Sequence, residues 1–126
     1  MRLQESGENY LETILVLQKK LGQVRSIDVA AEMGFSNPSI SVAMKQFREN
    51  GLITIEQGGF IVLTEDGRIA AERVYARHML LTDFLKALGI EEDLAQEDAC
   101  RMEHSMSEQT FEALRAHYQA HLAQKS

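Results

Sequence analysis

Apolar positions through the first fifty residues recur at helical spacing. Tyr10, Leu11, Ile14, Leu15, Leu17 and Leu21 return every three or four residues, which predicts an amphipathic helix over residues 7–21, ended by Gly22. Ser26 then caps a short helix over residues 27–33 that stops at Gly34. Ser36 or Asn37 caps a third helix, with Pro38 in its first turn, where a missing N–H costs nothing. Ile40, Ala43, Met44 and Phe47 form its buried stripe as far as Asn50-Gly51. The pattern then changes. Leu52-Ile53-Thr54-Ile55 and Phe60-Ile61-Val62-Leu63 are β-branched or aromatic, and Glu56-Gln57-Gly58-Gly59 between them supplies a hairpin turn. Thr64 caps a long helix reaching residue 88, with Gly89 beyond it. Residues 91–105 make another helix, and Phe111, Leu114, Tyr118 and Leu122 stripe a last one after Ser107.

Two helices joined by a tight glycine-containing turn are a helix-turn-helix, and the hairpin that follows completes a winged helix. The expected fold is therefore mostly α with a small β-hairpin. Residues 1–72 are expected to form a winged helix-turn-helix DNA-binding domain, and residues 73–126 an all-helical domain. The second helix of such a pair lies in the major groove with its first turns against base edges. Ser36, Pro38, Ser39, Ser41 and Val42 occupy those turns here, and Lys45 with Arg48 can reach phosphates. Serine hydroxyls serve bases and phosphates alike, while Pro38 and Val42 offer apolar contact to a thymine methyl. With no arginine in the first turn, base readout should be modest. The alternative is that Ser, Asn and Pro here are capping chemistry alone and the winged helix contacts protein.

Charge qualifies this picture. The formal net charge of −6 argues against indiscriminate nucleic-acid binding. Yet residues 1–77 hold nine Lys/Arg against ten Asp/Glu, and residues 78–126 hold four against nine. Within residues 13–48, Lys19, Lys20, Arg25, Lys45 and Arg48 outnumber Asp28 and Glu32. No apolar run approaches the roughly 20 residues of a membrane span. The start of the chain lacks a signal-peptide core, so no membrane association and a cytoplasmic location are expected. A single cysteine, Cys100, excludes an internal disulfide framework.

That cysteine opens the segment Cys100-Arg101-Met102-Glu103-His104. On a helix, positions i, i+3 and i+4 share a face, so thiol, carboxylate and imidazole would converge on one ion. Calcium and magnesium would not recruit a thiol; this donor set belongs to a transition metal. On the pentapeptide alone, a buried cysteine beside a solvated edge is the plainer reading. Further donors are available in Glu8, Asn9 and Glu12 on the first helix and in His78, which lies on a stripe with Val74, Leu81 and Leu85. His117 and His121 are also spaced i, i+4, but in a polar tail, and read as solvated.

The chain resembles the diphtheria-toxin-repressor family of iron- and manganese-dependent transcriptional regulators from about residue 6 to residue 115. The resemblance rests on Glu8-Asn9-Tyr10-Leu11-Glu12-Thr13-Ile14, Ser36-Asn37-Pro38-Ser39-Ile40-Ser41, Leu63-Thr64-Glu65-Asp66-Gly67, Arg77-His78 and the run from Glu97 through Cys100-Arg101-Met102-Glu103-His104 to Ser107. It implies a homodimer on double-stranded operator DNA, repressing metal-uptake genes when a divalent metal clamps the first helix to the dimerisation domain. By position, Cys100, Glu103, His104 and His78 match the family's ligands, and Glu12 matches the first-helix carboxylate of the manganese branch. Asn9 stands where the family uses Asp or Met. Thr82 and Gln96 stand where the iron branch places a second, ancillary metal site, and the expected form is a short one without the SH3-like domain. Cys100 follows the iron branch. Because sulfur shifts preference away from manganese, the expected ion is Fe(II), with Mn(II) the alternative. Rival readings are a winged-helix regulator of another ligand with a vestigial cluster, or a metal-dependent hydrolase. The second lacks a His-Glu-x-x-His motif, a nucleophile motif and a phosphate loop, so no enzymatic activity is expected.

Overall fold

The computed structural model describes residues 5–122. Its contacts divide the chain into two units, one ending at Arg73 and one beginning at Val74.

The first unit opens with α1 (Glu5–Leu21), β1 (Val24–Arg25) and α2 (Ser26–Met33), and continues with α3 (Asn37–Glu49), β2 (Ile53–Ile55) and β3 (Phe60–Leu63). The apolar stripes meet as the periodicity requires. Leu11 and Ile14 from α1, Val29 from α2, and Ile40, Met44 and Phe47 from α3 are buried with Ile53 and Ile61 of the sheet. Each such side chain contributes about 1.5–3 kcal/mol of burial. Tyr10 adds edge-on contacts, its ring centroid 5.8 Å from that of Phe35 and 5.9 Å from that of Phe47. The α2–α3 turn needs a residue at positive φ, and Gly34 supplies it at 71°.

The hairpin is antiparallel, Thr54 opposite Val62, and its turn uses Gly58 and Gly59 at positive φ. A third strand joins it, giving the order β1-β3-β2 with Val24 opposite Ile61. Two residues carry too little alternation to be read from sequence, so this strand was not among the expected elements. The start of α2 also differs from expectation. Ser26 is its first helical residue, not its cap; Arg25 takes the cap position, and Asp28 Oδ2 accepts its backbone N–H at 2.9 Å.

Helix α4 (Glu65–Ala87) begins in the first unit and runs past its boundary. Thr64 caps it: Oγ1 accepts the Gly67 N–H at 3.1 Å and donates to the Gly51 carbonyl at 2.6 Å. Gly67 seats this first turn directly on the residue before β2. A Cβ there would lie 1.9 Å from the Leu52 carbonyl oxygen.

The second unit holds the remainder of α4, then α5 (Glu92–Met102), α6 (Glu108–His117) and a π-helical turn, Tyr118–Leu122. Val74 and Leu81 of α4, Ala95 and Ala99 of α5, and Phe111 of α6 form its interior. Glu91 caps α5 through Asp93 N–H, and Ser107 caps α6 through Thr110 N–H. Expectation and structure part at the end of α5, which stops at Met102 and not near residue 105. Glu103 is its C-cap and His104 lies in the turn beyond.

Candidate metal centre and nucleic-acid face

In the first unit the sequence candidates for DNA contact all reach solvent. Ser36, Pro38, Ser39, Ser41, Val42 and Lys45 are exposed on α3 and its cap, opposite the buried Ile40, Ala43, Met44 and Phe47. Val42, 60% exposed, is an apolar side chain with no packing role on that face. Ser36 is committed to the helix. Its Oγ accepts the Ser39 N–H at 3.3 Å and donates to Ser39 Oγ at 3.0 Å, which leaves the Ser39 hydroxyl proton directed elsewhere. Ser36 thus meets the capping reading, while Ser39, three residues on, remains exposed. Elsewhere in the unit, the Arg25 guanidinium rests 4.4 Å above the Phe60 ring, which follows the hairpin turn, a stacked cation at the wing. Asn9 and Glu12 lie half-buried, three residues apart on α1.

In the second unit the pentapeptide does converge, though not as a helical face. Ligand atoms of Cys100, Glu103 and His104 all lie within 4.8 Å of one another. Cys100, on the last turn of α5, is exposed, whereas the side chains of Glu103 and His104 are 0% and 2% exposed. The termination of α5 does this work: it turns the two side chains inward while the thiol stays at the rim. His78 of α4 completes the group, its Nδ1 2.9 Å from Glu103 Oε2.

The other carboxylate oxygen is the informative atom. Glu103 Oε1 is buried and accepts no hydrogen bond among the described residues, yet it sits 3.2 Å from His104 Nε2. A buried carboxylate with an unsatisfied oxygen is costly unless a cation shares it. Its position at the C-terminal end of α5 adds the negative end of the helix dipole to that cost. Two imidazoles and a thiol around that carboxylate suit a divalent transition metal and no hard alkaline-earth ion. The residues present fit the expected group.

Arg77 holds this turn together, and sequence reading gave it no role. It is only 6% exposed. Its Nη1 donates to the Glu103 carbonyl at 3.0 Å and the Met106 carbonyl at 2.9 Å, and its Nη2 donates to Glu108 Oε2 at 2.8 Å. The guanidinium also lies 5.2 Å from the Phe111 ring centroid. One signal was available: Arg77 falls between Val74 and Leu81 on the buried stripe of α4, where a charge must have partners.

Two segments of the chain match descriptions of known families. Residues 2–59 match the family description "Iron dependent repressor, N-terminal DNA binding domain", and residues 64–121 match "Iron dependent repressor, metal binding and dimerisation domain". The transcriptional regulator MntR of Escherichia coli is 34% identical over 114 residues, covering 90% of this chain and 74% of that protein. MntR of Salmonella typhimurium is 32% identical, covering 90% and 73%. Among solved structures, the manganese regulator SloR aligns with TM-score 0.77 at 27% identity, over 94% of this chain and 55% of its own. A manganese-dependent transcriptional repressor in complex with manganese aligns with TM-score 0.79 at 29% identity, over 87% and 51%. The chain thus spans about half the length of these solved structures.

Proposed function

This chain belongs to the iron-dependent repressor family, and on that premise we propose that it is a DNA-binding transcriptional repressor activated by a divalent transition metal. The observation that carries the reading is the buried Glu103 carboxylate, whose Oε1 accepts no hydrogen bond among the described residues while two imidazoles and a thiol gather around the carboxylate. His78, Glu103 and His104 would hold the ion, with the Cys100 thiol beside them at the rim. When bound, it supplies positive charge that satisfies the buried carboxylate. On the sequence resemblance alone, Glu12, and Asn9 beside it, are proposed as the donors that extend the site to α1.

The chain's own residues account for the rest. Without a cation, the carboxylates of Glu103 and Glu12 and a Cys100 thiolate repel as like charges in any arrangement that gathers them, which favours separation. Ser39, Ser41, Val42 and Lys45 offer a weakly discriminating reading surface, with phosphate contact from Lys45. The partner proposed is a second copy. The apolar surface left on the second unit includes Met79, Leu88, Leu94 and Met102, all exposed, whereas Leu81 and Phe111 are buried inside the protomer. Two reading helices would then address half-sites about 34 Å apart. Uptake genes for the same metal are the proposed targets.

For the ion, the similar structures favour manganese over the expected iron: one is a manganese regulator and another a manganese-dependent repressor in complex with manganese. Cys100 argues toward iron, since manganese favours oxygen donors. We propose Mn(II) as the activating ion, with the thiol at the rim and not in the coordination sphere. Cobalt substitution decides this: a charge-transfer band that vanishes in Cys100→Ser would place sulfur on the ion and restore Fe(II). The function itself is tested by gel shift on the DNA upstream of the chain's own gene, with and without chelator. Binding is expected only with metal and is lost in Glu103→Gln. Equal affinity in chelator would leave a winged-helix regulator of some other ligand.

A further inference from the structure

His117 and His121 were read from sequence as solvated, and both are exposed, yet their rings are not independent. The last residue of α6 and the fourth of the π-helical turn bring the two ring centroids to 4.7 Å, with the planes inclined at 46°. Phe84 of α4 lies 6.2 Å from the His117 ring and 6.1 Å from the Tyr118 ring, and so steadies one side of the pair. Neither imidazole makes a hydrogen bond among the described residues. The nearest carboxylate along the helix, Glu112, is engaged by Arg115.

We propose that His117 and His121 form a second metal site, which takes a borderline divalent ion such as Ni²⁺, Cu²⁺ or Zn²⁺ and rejects Mn²⁺. The spacing fits the chemistry. An imidazole nitrogen binds such an ion at about 2.0–2.1 Å, which sets each ring centroid about 3.2 Å from it. A centroid separation of 4.7 Å then corresponds to a nitrogen–ion–nitrogen angle of about 95°, within reach of square, octahedral or slightly compressed tetrahedral coordination. Water completes the shell on the open side. Selectivity follows from the donors: imidazole suits nickel, copper and zinc, manganese prefers oxygen, and manganese is the weakest binder of the first-row series. Irregular π turns of this kind recur at functional sites. The acidic surroundings help, since residues 78–126 carry nine Asp/Glu against four Lys/Arg. The site shares no residue with the Cys100–Glu103–His104 cluster and does not depend on that cluster binding anything.

Calorimetric titration of the untagged chain with nickel chloride tests it in two backgrounds, wild type and Glu103→Gln/His104→Gln. In both, one nickel equivalent per chain is expected that disappears with His117→Asn or His121→Asn and that equimolar Mn²⁺ does not displace. Survival of that equivalent in either single variant, or its displacement by Mn²⁺, overturns the proposal. A second measurement needs no variant: in histidine side-chain ¹H–¹⁵N spectra of the wild type, zinc should shift both tail imidazoles together. Rings that stay in place when zinc binds elsewhere also overturn it.

Discussion

Arg77 carries the most instructive chemistry in the chain at the scale of single residues. Its guanidinium satisfies two backbone carbonyls in the α5–α6 turn and one carboxylate, and by doing so it fixes where Glu103 and His104 point. Arg77→Met keeps the stem and removes the fork. The Glu103 and Met106 carbonyls would then be left buried without donors, at about 1–3 kcal/mol for the unsatisfied groups. The expected outcome is a loss of that size in urea denaturation together with weaker manganese binding. Arg77→Lys, which restores charge but not the planar fork, should recover part of the stability and little of the affinity. Equal manganese affinity in all three proteins would reduce Arg77 to packing. Neither the residue's role nor the inward turn of Glu103 could be read from spacing. The pentapeptide continues a helical pattern through His104, and what ends α5 is a set of hydrogen bonds from a residue 26 positions earlier.

At the scale of elements, much more was legible, because helix ends announce themselves locally. Ser36, Thr64 and Ser107 do cap helices through the hydroxyl chemistry that made them recognisable, and Gly34 sits at positive φ after α2 as expected. The hairpin was legible from its glycine pair. β1 was not, since its two residues acquire strand character only by pairing with β3. The seat of α4 on Leu52 makes a sharp prediction at this scale. Gly67→Ala would press a methyl group into the Leu52 carbonyl oxygen, and backbone cannot yield as a side chain can. A loss above about 3 kcal/mol in urea denaturation is expected, at the upper end for overpacking. Ala at neighbouring Arg68, which is exposed, should cost less than about 0.5 kcal/mol. The reading helix allows a second prediction. Lys45→Ala should weaken binding to all DNA sequences alike and flatten the salt dependence, whereas Ser39→Ala should alter discrimination among them. Competition gel shifts at two ionic strengths separate the two effects.

For the molecule as a whole, the division of charge matters more than the net value of −6. The near-neutral first part of the chain repels DNA less than the acidic second part does. Light scattering at micromolar concentration with manganese present should report a dimer, since Leu88, Leu94 and Met102 would otherwise remain in water. A monomer under those conditions would refute the assembly. The fold as a whole was accessible from sequence because its core follows from two periodicities; the order of the helices needed no more than that. The unsatisfied oxygen of Glu103 has one consequence beyond gene control. An ion that binds only the folded chain stabilises it by about 2.7 kcal/mol at a hundredfold excess over Kd. For a protein of this size that raises the melting temperature by roughly ten degrees. Glu103→Gln should melt at one temperature whatever the manganese concentration, while the wild type climbs with it. A single buried carboxylate thus makes heat resistance a gauge of the free ion surrounding the protein.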